Sequence, residues 1–133
     1  MLDISYGYTD IEVVGVFDNK LNVLWGESGS GKTFLFSKIK AFLQDTKTPY
    51  IEIPHNSSSG TVLSILNSLQ SGTVVLYDSG DLSFNEEICR IIDSLEIICI
   101  ISLKTLKYAK YTDYGLYTVK YTPGTLLVEK YYR

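Results

Sequence analysis

The segment at residues 21–44 constrains this chain most, because it joins a strand pattern to a helix pattern through a glycine-rich loop. Leu21 to Trp25 is a short apolar run typical of a buried strand, and an amphipathic helix pattern begins at about Thr33. Three glycines between them allow the backbone to bend so that successive N–H groups converge on one point. The segment therefore predicts a strand, an anion-binding loop and a helix whose positive dipole end faces the bound anion.

The spacing of the loop residues indicates which anion binds. The loop fits the pattern G-x-x-x-x-G-K-[ST], known as Walker A, in which the lysine reaches the β- and γ-phosphates and the hydroxyl residue holds Mg²⁺. We therefore expect a nucleoside triphosphate and Mg²⁺, with Lys32 acting in catalysis and Thr33 as a metal ligand. The predicted nucleotide-binding residues of the loop are Gly26, Glu27, Ser28, Gly29, Ser30, Gly31, Lys32 and Thr33.

The order of the remaining patterns predicts an α/β fold. Strand patterns at 4–9 and 13–17 come first, and we expect Leu21–Trp25 to return antiparallel to the second of them. Helix patterns then alternate with strand patterns: helix at 33–44, strand at 50–53, helix around 62–69, strand at 74–77, helix after a capping box at 83–86, strand at 97–101, and strands at 116–121 and 125–132. At 133 residues we expect one nucleotide-binding domain spanning 1–133.

A second motif supplies the carboxylate that a Walker A loop needs for its metal ion. Four apolar residues, Val74 to Tyr77, are followed by Asp78, which is the Walker B pattern. We predict that Asp78 binds Mg²⁺ and acts in catalysis. The alternative is an aspartate that only caps a helix or shapes a turn.

Taken together, these motifs resemble the P-loop NTPases over residues 10–103. The two strands before Walker A are most similar to ABC and SMC-like ATPases, within the additional-strand, catalytic-glutamate division that also includes RecA-like and AAA+ ATPases. The resemblance implies a three-layer sandwich with a mostly parallel central sheet and antiparallel strands at the N- and C-terminal edges. It also implies that the apolar strand at 97–101 lies between the two Walker strands. ATP is favoured over GTP, because the chain has no guanine-reading Asn-Lys-x-Asp.

Departures from the family pattern concern the catalytic glutamate. Ser79 stands where ABC enzymes usually carry that glutamate, and no LSGGQ-like signature occurs. Asp81 is the nearest carboxylate and is predicted to orient the attacking water, with a turn role as the alternative. Glu52 is a poorer candidate, because it is expected in the middle of a strand. Ser102 follows the strand at 97–101, where related ATPases carry a polar sensor residue; a plain strand-end serine is the alternative.

Two tyrosines on the first strand pattern occupy the place where ABC domains often keep an adenine-stacking aromatic residue. These are Tyr6 and Tyr8, and we select Tyr8 as the predicted base contact. The alternative is that both rings belong to the core, as half-buried strand aromatics commonly do.

Charge is distributed unevenly along the chain. The net charge of −3 exerts no general attraction for nucleic acid, but residues 101–133 carry six basic and two acidic side chains, against six and thirteen in 1–100. Lys104, Lys107 and Lys110 would share one face if their segment is helical. We expect this face to bind an acidic partner, a protein in preference to a single-stranded nucleic acid; an ordinary solvated face is the alternative. The chain as a whole is expected to act with a protein partner or as a homo-oligomer.

The N-terminal residues, the apolar runs and the cysteines indicate where in the cell the protein is located. The start of the chain lacks the basic and apolar regions of a signal peptide, and the longest apolar run, 97–101, is too short to cross a bilayer. Cys89 and Cys99 form no metal or redox motif and are expected to be buried thiols rather than a disulfide. We therefore predict a cytoplasmic protein without a membrane partner.

Three functions remain open from the sequence. The first is a minimal ATPase that hydrolyses Mg²⁺–ATP slowly and acts with a partner. The second is a nucleotide-dependent or inactive binding module that uses the same fold. The third, a small-molecule kinase, is weakest, because such kinases bridge phosphates with several arginines and this chain has only Arg90 and Arg133.

Overall fold

The structure, a computed structural model, describes residues 2–7, 11–25, 32–54, 56–78 and 80–132. Within these ranges the chain is an α/β protein with a curled eight-stranded mixed sheet and three α-helices. Two short 3₁₀ turns lie at Gly80–Leu82 and Ala109–Tyr111. The elements are β1 (Leu2–Gly7), β2 (Glu12–Phe17), β3 (Leu21–Trp25), α1 (Lys32–Asp45), β4 (Tyr50–Glu52), α2 (Ser59–Leu66), β5 (Val74–Tyr77), α3 (Glu86–Ser94), β6 (Ile98–Leu103), β7 (Tyr114–Thr122) and β8 (Thr125–Tyr132).

The strand order of the sheet is β1-β2-β8-β7-β3-β6-β5-β4. Strands β4, β5, β6, β3 and β7 run parallel to one another, whereas β1–β2 and β7–β8 pair in antiparallel fashion. Strand β6 therefore lies between β3 and β5, the order expected from the sequence for the strand at 97–101. This order brings the C-terminal ends of β3, β6 and β5 to one edge of the sheet.

The position of β3 relative to β2 differs from the prediction. β3 does not pair with β2, because the β7–β8 hairpin lies between them and β2 pairs in parallel with β8. Strand β8 is consequently inside the sheet, and the prediction of an antiparallel strand at a C-terminal edge is wrong; the edges are β1 and β4. The turn after β2 contacts β7, because the hydroxyl of Tyr117 donates to Asp18 Oδ1 at 2.8 Å and also lies 3.1 Å from Asn19 Oδ1.

Apolar side chains form two buried clusters on opposite faces of the sheet. Alternation along β5 separates them, since Val75 and Tyr77 join the cluster that contains α2 and α3, while Val74 and Leu76 join the cluster that contains α1. The second cluster also includes residues of β1, β2 and β8, so the curled sheet wraps around α1. Burial on both faces explains why β5 and β6 read as continuous apolar runs.

The ends of two helices differ from the sequence prediction. Helix α2 ends at Leu66, so Leu69 lies beyond it. Helix α3 is capped by Asn85, whose side chain accepts from the backbone N–H of Ile88 at 2.9 Å, and not by the predicted capping box at Ser83. Ser83 is unavailable for capping because its hydroxyl is hydrogen-bonded to the buried hydroxyl of Tyr77.

The segment at 104–111 is not the helix that would align its three lysines. Only Ala109–Tyr111 forms a 3₁₀ turn, and the residues before it are irregular. The prediction of one shared lysine face therefore fails, because an irregular backbone does not repeat side-chain directions every three residues.

Both cysteines are free thiols, as predicted, and both are buried. Among the residues that the structure describes, none of the helices combines the length and the apolar character needed to cross a bilayer.

Candidate functional site

Three polar side chains from separate elements meet where α1 begins. Thr33, in the first turn of α1, places its Oγ1 3.4 Å from Asp78 Oδ2. Ser102, near the end of β6, donates from its Oγ to Asp78 Oδ1 at 3.1 Å. Both oxygens of the Asp78 carboxylate therefore face hydroxyl groups, so the pair predicted to bind metal and the predicted sensor lie in one cluster.

The sheet explains why these residues meet. Strands β5 and β6 are parallel neighbours with Tyr77 in register with Ile101, so the residues that follow, Asp78 and Ser102, emerge side by side. Parallel strands present their C-terminal ends at one edge, where ligands of open α/β sheets commonly bind. Burial raises the pKa of the Tyr77 hydroxyl to about 12, so this neighbour of Asp78 stays neutral and structural.

Several predicted residues fall outside the part of the chain that the structure describes. They are the loop residues Gly26 to Gly31, the base contact Tyr8, and Ser79. Lys32 is the first residue of α1 and is partly buried. The described ends of the loop, Trp25 and Lys32, belong to β3 and α1, which is the strand-to-helix connection expected for a phosphate-binding loop.

The Asp81 carboxylate forms a hydrogen bond with the backbone. Its Oδ1 accepts from the N–H of Lys104 at 2.7 Å, which ties the 3₁₀ turn after β5 to the end of β6. This contact matches the turn role that the sequence left as the alternative for Asp81.

A cleft of about 370 Å³ opens beside Thr33 and Asp78. It lies between α1 and the ends of β4 and β5, and its polar residues away from the Asp78 cluster are Ser37, Lys40 and Glu52. Lys40 Nζ and Glu52 Oε2 form an ion pair at 3.4 Å, both largely exposed. The remaining lining is apolar and consists of Phe36, Ile53, Pro54 and Leu76.

Glu52 occupies a different place from the one expected. The sequence suggested the middle of a strand, but β4 ends at Glu52 and its side chain lines the cleft that also contains Asp78. Pro54 was the available signal, because proline has no N–H to donate to a sheet and therefore commonly follows the end of a strand.

Two of the three lysines at 104–111 lie against neighbouring tyrosine rings. Lys107 Nζ lies 5.3 Å from the centre of the Tyr108 ring, and Lys110 Nζ lies 5.3 Å from that of Tyr111. The guanidinium carbon of Arg90 lies 4.5 Å from the centre of the Tyr111 ring. Arg90 Nε also forms an ion pair with Glu86 Oε2 at 2.8 Å. Hydrogen bonding to Arg90 lowers the pKa of the Glu86 carboxyl.

No protein-family model matches the chain, and a search of curated proteins finds no significant match. The described ranges contain no group of three or more His, Cys, Asp or Glu side chains that could by itself hold a metal ion. The features that indicate a function are therefore the loop sequence and the cluster of Thr33, Asp78 and Ser102.

Proposed function

We propose that this chain is a minimal P-loop ATPase, a three-layer α/β sandwich that binds Mg²⁺–ATP and hydrolyses it slowly with a partner. The observation that carries the proposal is the 3.4 Å approach of Thr33 Oγ1 to Asp78 Oδ2. Thr33 directly follows the loop lysine. Asp78 directly follows β5, which is the second neighbour of β3 in the sheet. A loop with Walker A spacing and a metal-holding pair at its end fit the same ligand.

The residues present suit Mg²⁺ bound together with a nucleotide. Mg²⁺ commonly takes one or two protein oxygen ligands and completes its shell with phosphate oxygens and water, so Thr33 and Asp78 need no further carboxylate. When bound, Mg²⁺ neutralises charge on the phosphates. The hydroxyl of Ser102 holds the second oxygen of Asp78, which fixes the orientation of the carboxylate.

Glu52 is the residue that this proposal assigns to the attacking water. It lines the cleft beside Asp78, whereas the Asp81 carboxylate is held by the Lys104 N–H. A carboxylate accepts a hydrogen bond from water and orients it toward the γ-phosphorus. Hydrolysis is slow because Lys40 pairs with Glu52 and Arg90, bound to Glu86, lies outside the cleft.

The ion pair of Lys40 with Glu52 favours a second candidate, a nucleotide-dependent binding module without hydrolysis. A carboxylate that remains paired with an ammonium group is a weaker acceptor for a water proton. Measurement of phosphate release with and without candidate partners distinguishes the two functions, since both require ATP binding and only the first releases phosphate.

Thermal unfolding in the presence of Mg²⁺–ATP tests the proposal. A ligand that binds only the native state raises the melting temperature, and Lys32→Ala removes the charge that holds the β- and γ-phosphates. We expect wild type to show the shift, Lys32→Ala to lose it, and the matched variant Lys38→Ala on the same helix to keep it. Absence of a shift in wild type with millimolar ATP or GTP overturns the proposal.

A further inference from the structure

Two aromatic side chains stand exposed beside the start of the predicted phosphate-binding loop. Trp25 is the last residue of β3 and directly precedes Gly26, yet 40% of its surface is exposed. Tyr131, on β8, is 66% exposed. Their ring centres lie 6.2 Å apart with the planes inclined at 45°. Large aromatic surfaces left to solvent at a predicted ligand site require an explanation, because burial of such rings is favourable.

The two rings lie on the same face of the sheet. Leu21 and Val23 of β3 belong to the cluster under α2 and α3, and strict alternation puts Trp25 on that face. On β8, Val128 belongs to the opposite cluster and Lys130 lies over the Tyr117 ring, so Tyr131 projects to the face of Trp25. Strand β7 lies between β3 and β8, so the two rings meet over β7.

The aromatic pair and the Asp78 cluster lie on opposite sides of β3. Strand β5, which Asp78 directly follows, is the second neighbour of β3 on one side, and β8 is the second neighbour on the other. With neighbouring strands about 4.8 Å apart, each lies about 10 Å from the strand that leads into the loop. A nucleoside triphosphate is elongated, with its base and its terminal phosphate at opposite ends. With its phosphates on the loop and the last one toward Asp78, its base extends toward β8.

We propose that Trp25 and Tyr131 form the base-binding part of the nucleotide site and that it takes a purine. This inference depends on the proposed function, because it assumes that phosphates bind at the loop. The indole ring offers a stacking face, and the inclined tyrosine ring contacts the edge of a base placed there. A purine covers more of the indole than a pyrimidine does, since stacking grows with the area of contact.

The single tryptophan of the chain reports on this site directly. A base stacked on Trp25 quenches its emission, whereas inorganic tripolyphosphate occupies the loop without a base. We expect Mg²⁺–ATP to quench the fluorescence and Mg²⁺–tripolyphosphate to raise the melting temperature with little change in emission. Equal quenching by the two ligands overturns the inference, because a base is then not needed.

Substitutions separate this inference from the proposed function. Trp25→Leu and Tyr131→Leu are expected to weaken ATP binding about tenfold each and to leave tripolyphosphate binding within twofold. Trp25→Phe keeps a stacking face and is expected to restore most of the affinity. Tyr121→Leu is the control, because Tyr121 is 64% exposed and has the parity of Tyr117 on β7, which puts it on the other face.

The possible outcomes point to different conclusions. If ATP binds to wild type and Trp25→Leu with equal affinity, the base-binding inference fails and the proposed function stands. If neither ATP nor tripolyphosphate binds to wild type, the proposed function fails and the inference fails with it. Tripolyphosphate binding that persists in Trp25→Leu also demonstrates that this variant is folded.

Discussion

Asp78 and Glu52 line one cleft, but different partners surround their carboxylates. Asp78 faces two neutral hydroxyls, Thr33 at 3.4 Å and Ser102 at 3.1 Å, which orient its charge without neutralising it. Glu52 instead faces the ammonium of Lys40 at 3.4 Å. A carboxylate held by neutral hydroxyls is suited to a cation, whereas the charge of Glu52 already has a cationic partner.

We expect Glu52→Gln to reduce phosphate release at least tenfold while the Mg²⁺–ATP thermal shift persists. The amide keeps the shape of the side chain but is a poor acceptor for a water proton, and proton-accepting residues commonly contribute a hundredfold or more. Glu87→Gln, on the exposed side of α3, is the matched control. A Glu52→Gln variant with the wild-type rate would leave water orientation to another residue.

The two cysteines are expected to resist thiol reagents in the native protein. Burial raises the pKa of the Cys89 thiol to about 11 and also raises the pKa of the Cys99 thiol. A raised pKa keeps a thiol protonated at pH 8, and the thiolate is the reactive form. Titration with an aromatic disulfide reagent at pH 8 should detect almost no thiol before denaturation and two afterwards. Fast labelling of the native chain would contradict the buried positions.

The turn between β2 and β3 depends on a buried amide. Asn22 is fully buried, and its Nδ2 donates to the carbonyls of Asn19 at 2.7 Å and of Cys99 at 3.1 Å. Its Oδ1 accepts from the Asn19 N–H at 3.1 Å. One side chain thus closes the turn and attaches the start of β3 to β6, and β3 is the strand that leads into the predicted phosphate-binding loop.

Asn22→Ala is therefore expected to lower the free energy of unfolding by about 3 kcal/mol. The change removes three hydrogen bonds and leaves their backbone partners buried without them, which costs more than a surface bond. Denaturant unfolding measures the difference. The control is Asn67→Ala at the exposed end of α2, where an effect within about 0.5 kcal/mol is expected. Equal effects of the two variants would mean that the buried amide does not stabilise the turn.

Local sequence patterns were sufficient to predict most residues of the candidate site, but they were insufficient to predict how the strands pair in the sheet. Thr33, Asp78 and Ser102 could be brought together because each follows from a strand end or a helix start beside it in the sequence. Glu52 was misplaced because β4 has only three residues, and its end cannot be located from so short a pattern. The parallel pairing of Glu12 with Thr125 was missed because periodicity indicates a strand but not its partner.

At the scale of the whole molecule, the curled sheet divides into a parallel part and a part with antiparallel pairs. The parallel part, β4-β5-β6-β3, has α1 on one face and α2 and α3 on the other, and it ends at the cluster of Thr33 and Asp78. The remaining strands fold around α1, and β7–β8 carries Tyr131 toward Trp25. The proposed nucleotide site therefore uses both parts, with phosphates on the first and the base beside the second.

The interior position of β8 favours one order of assembly during synthesis. Strands β1 and β2 leave the ribosome first, but β8, which joins β2 to the rest of the sheet, is the last of the described strands to be made. An isolated two-stranded hairpin is barely stable in water, so β1–β2 must wait with one edge unpaired. Strands β3 to β6 contact one another without it. We therefore expect the half that carries the predicted phosphate-binding loop to fold before the N-terminal hairpin attaches, with closure of the sheet as the late, long-range step.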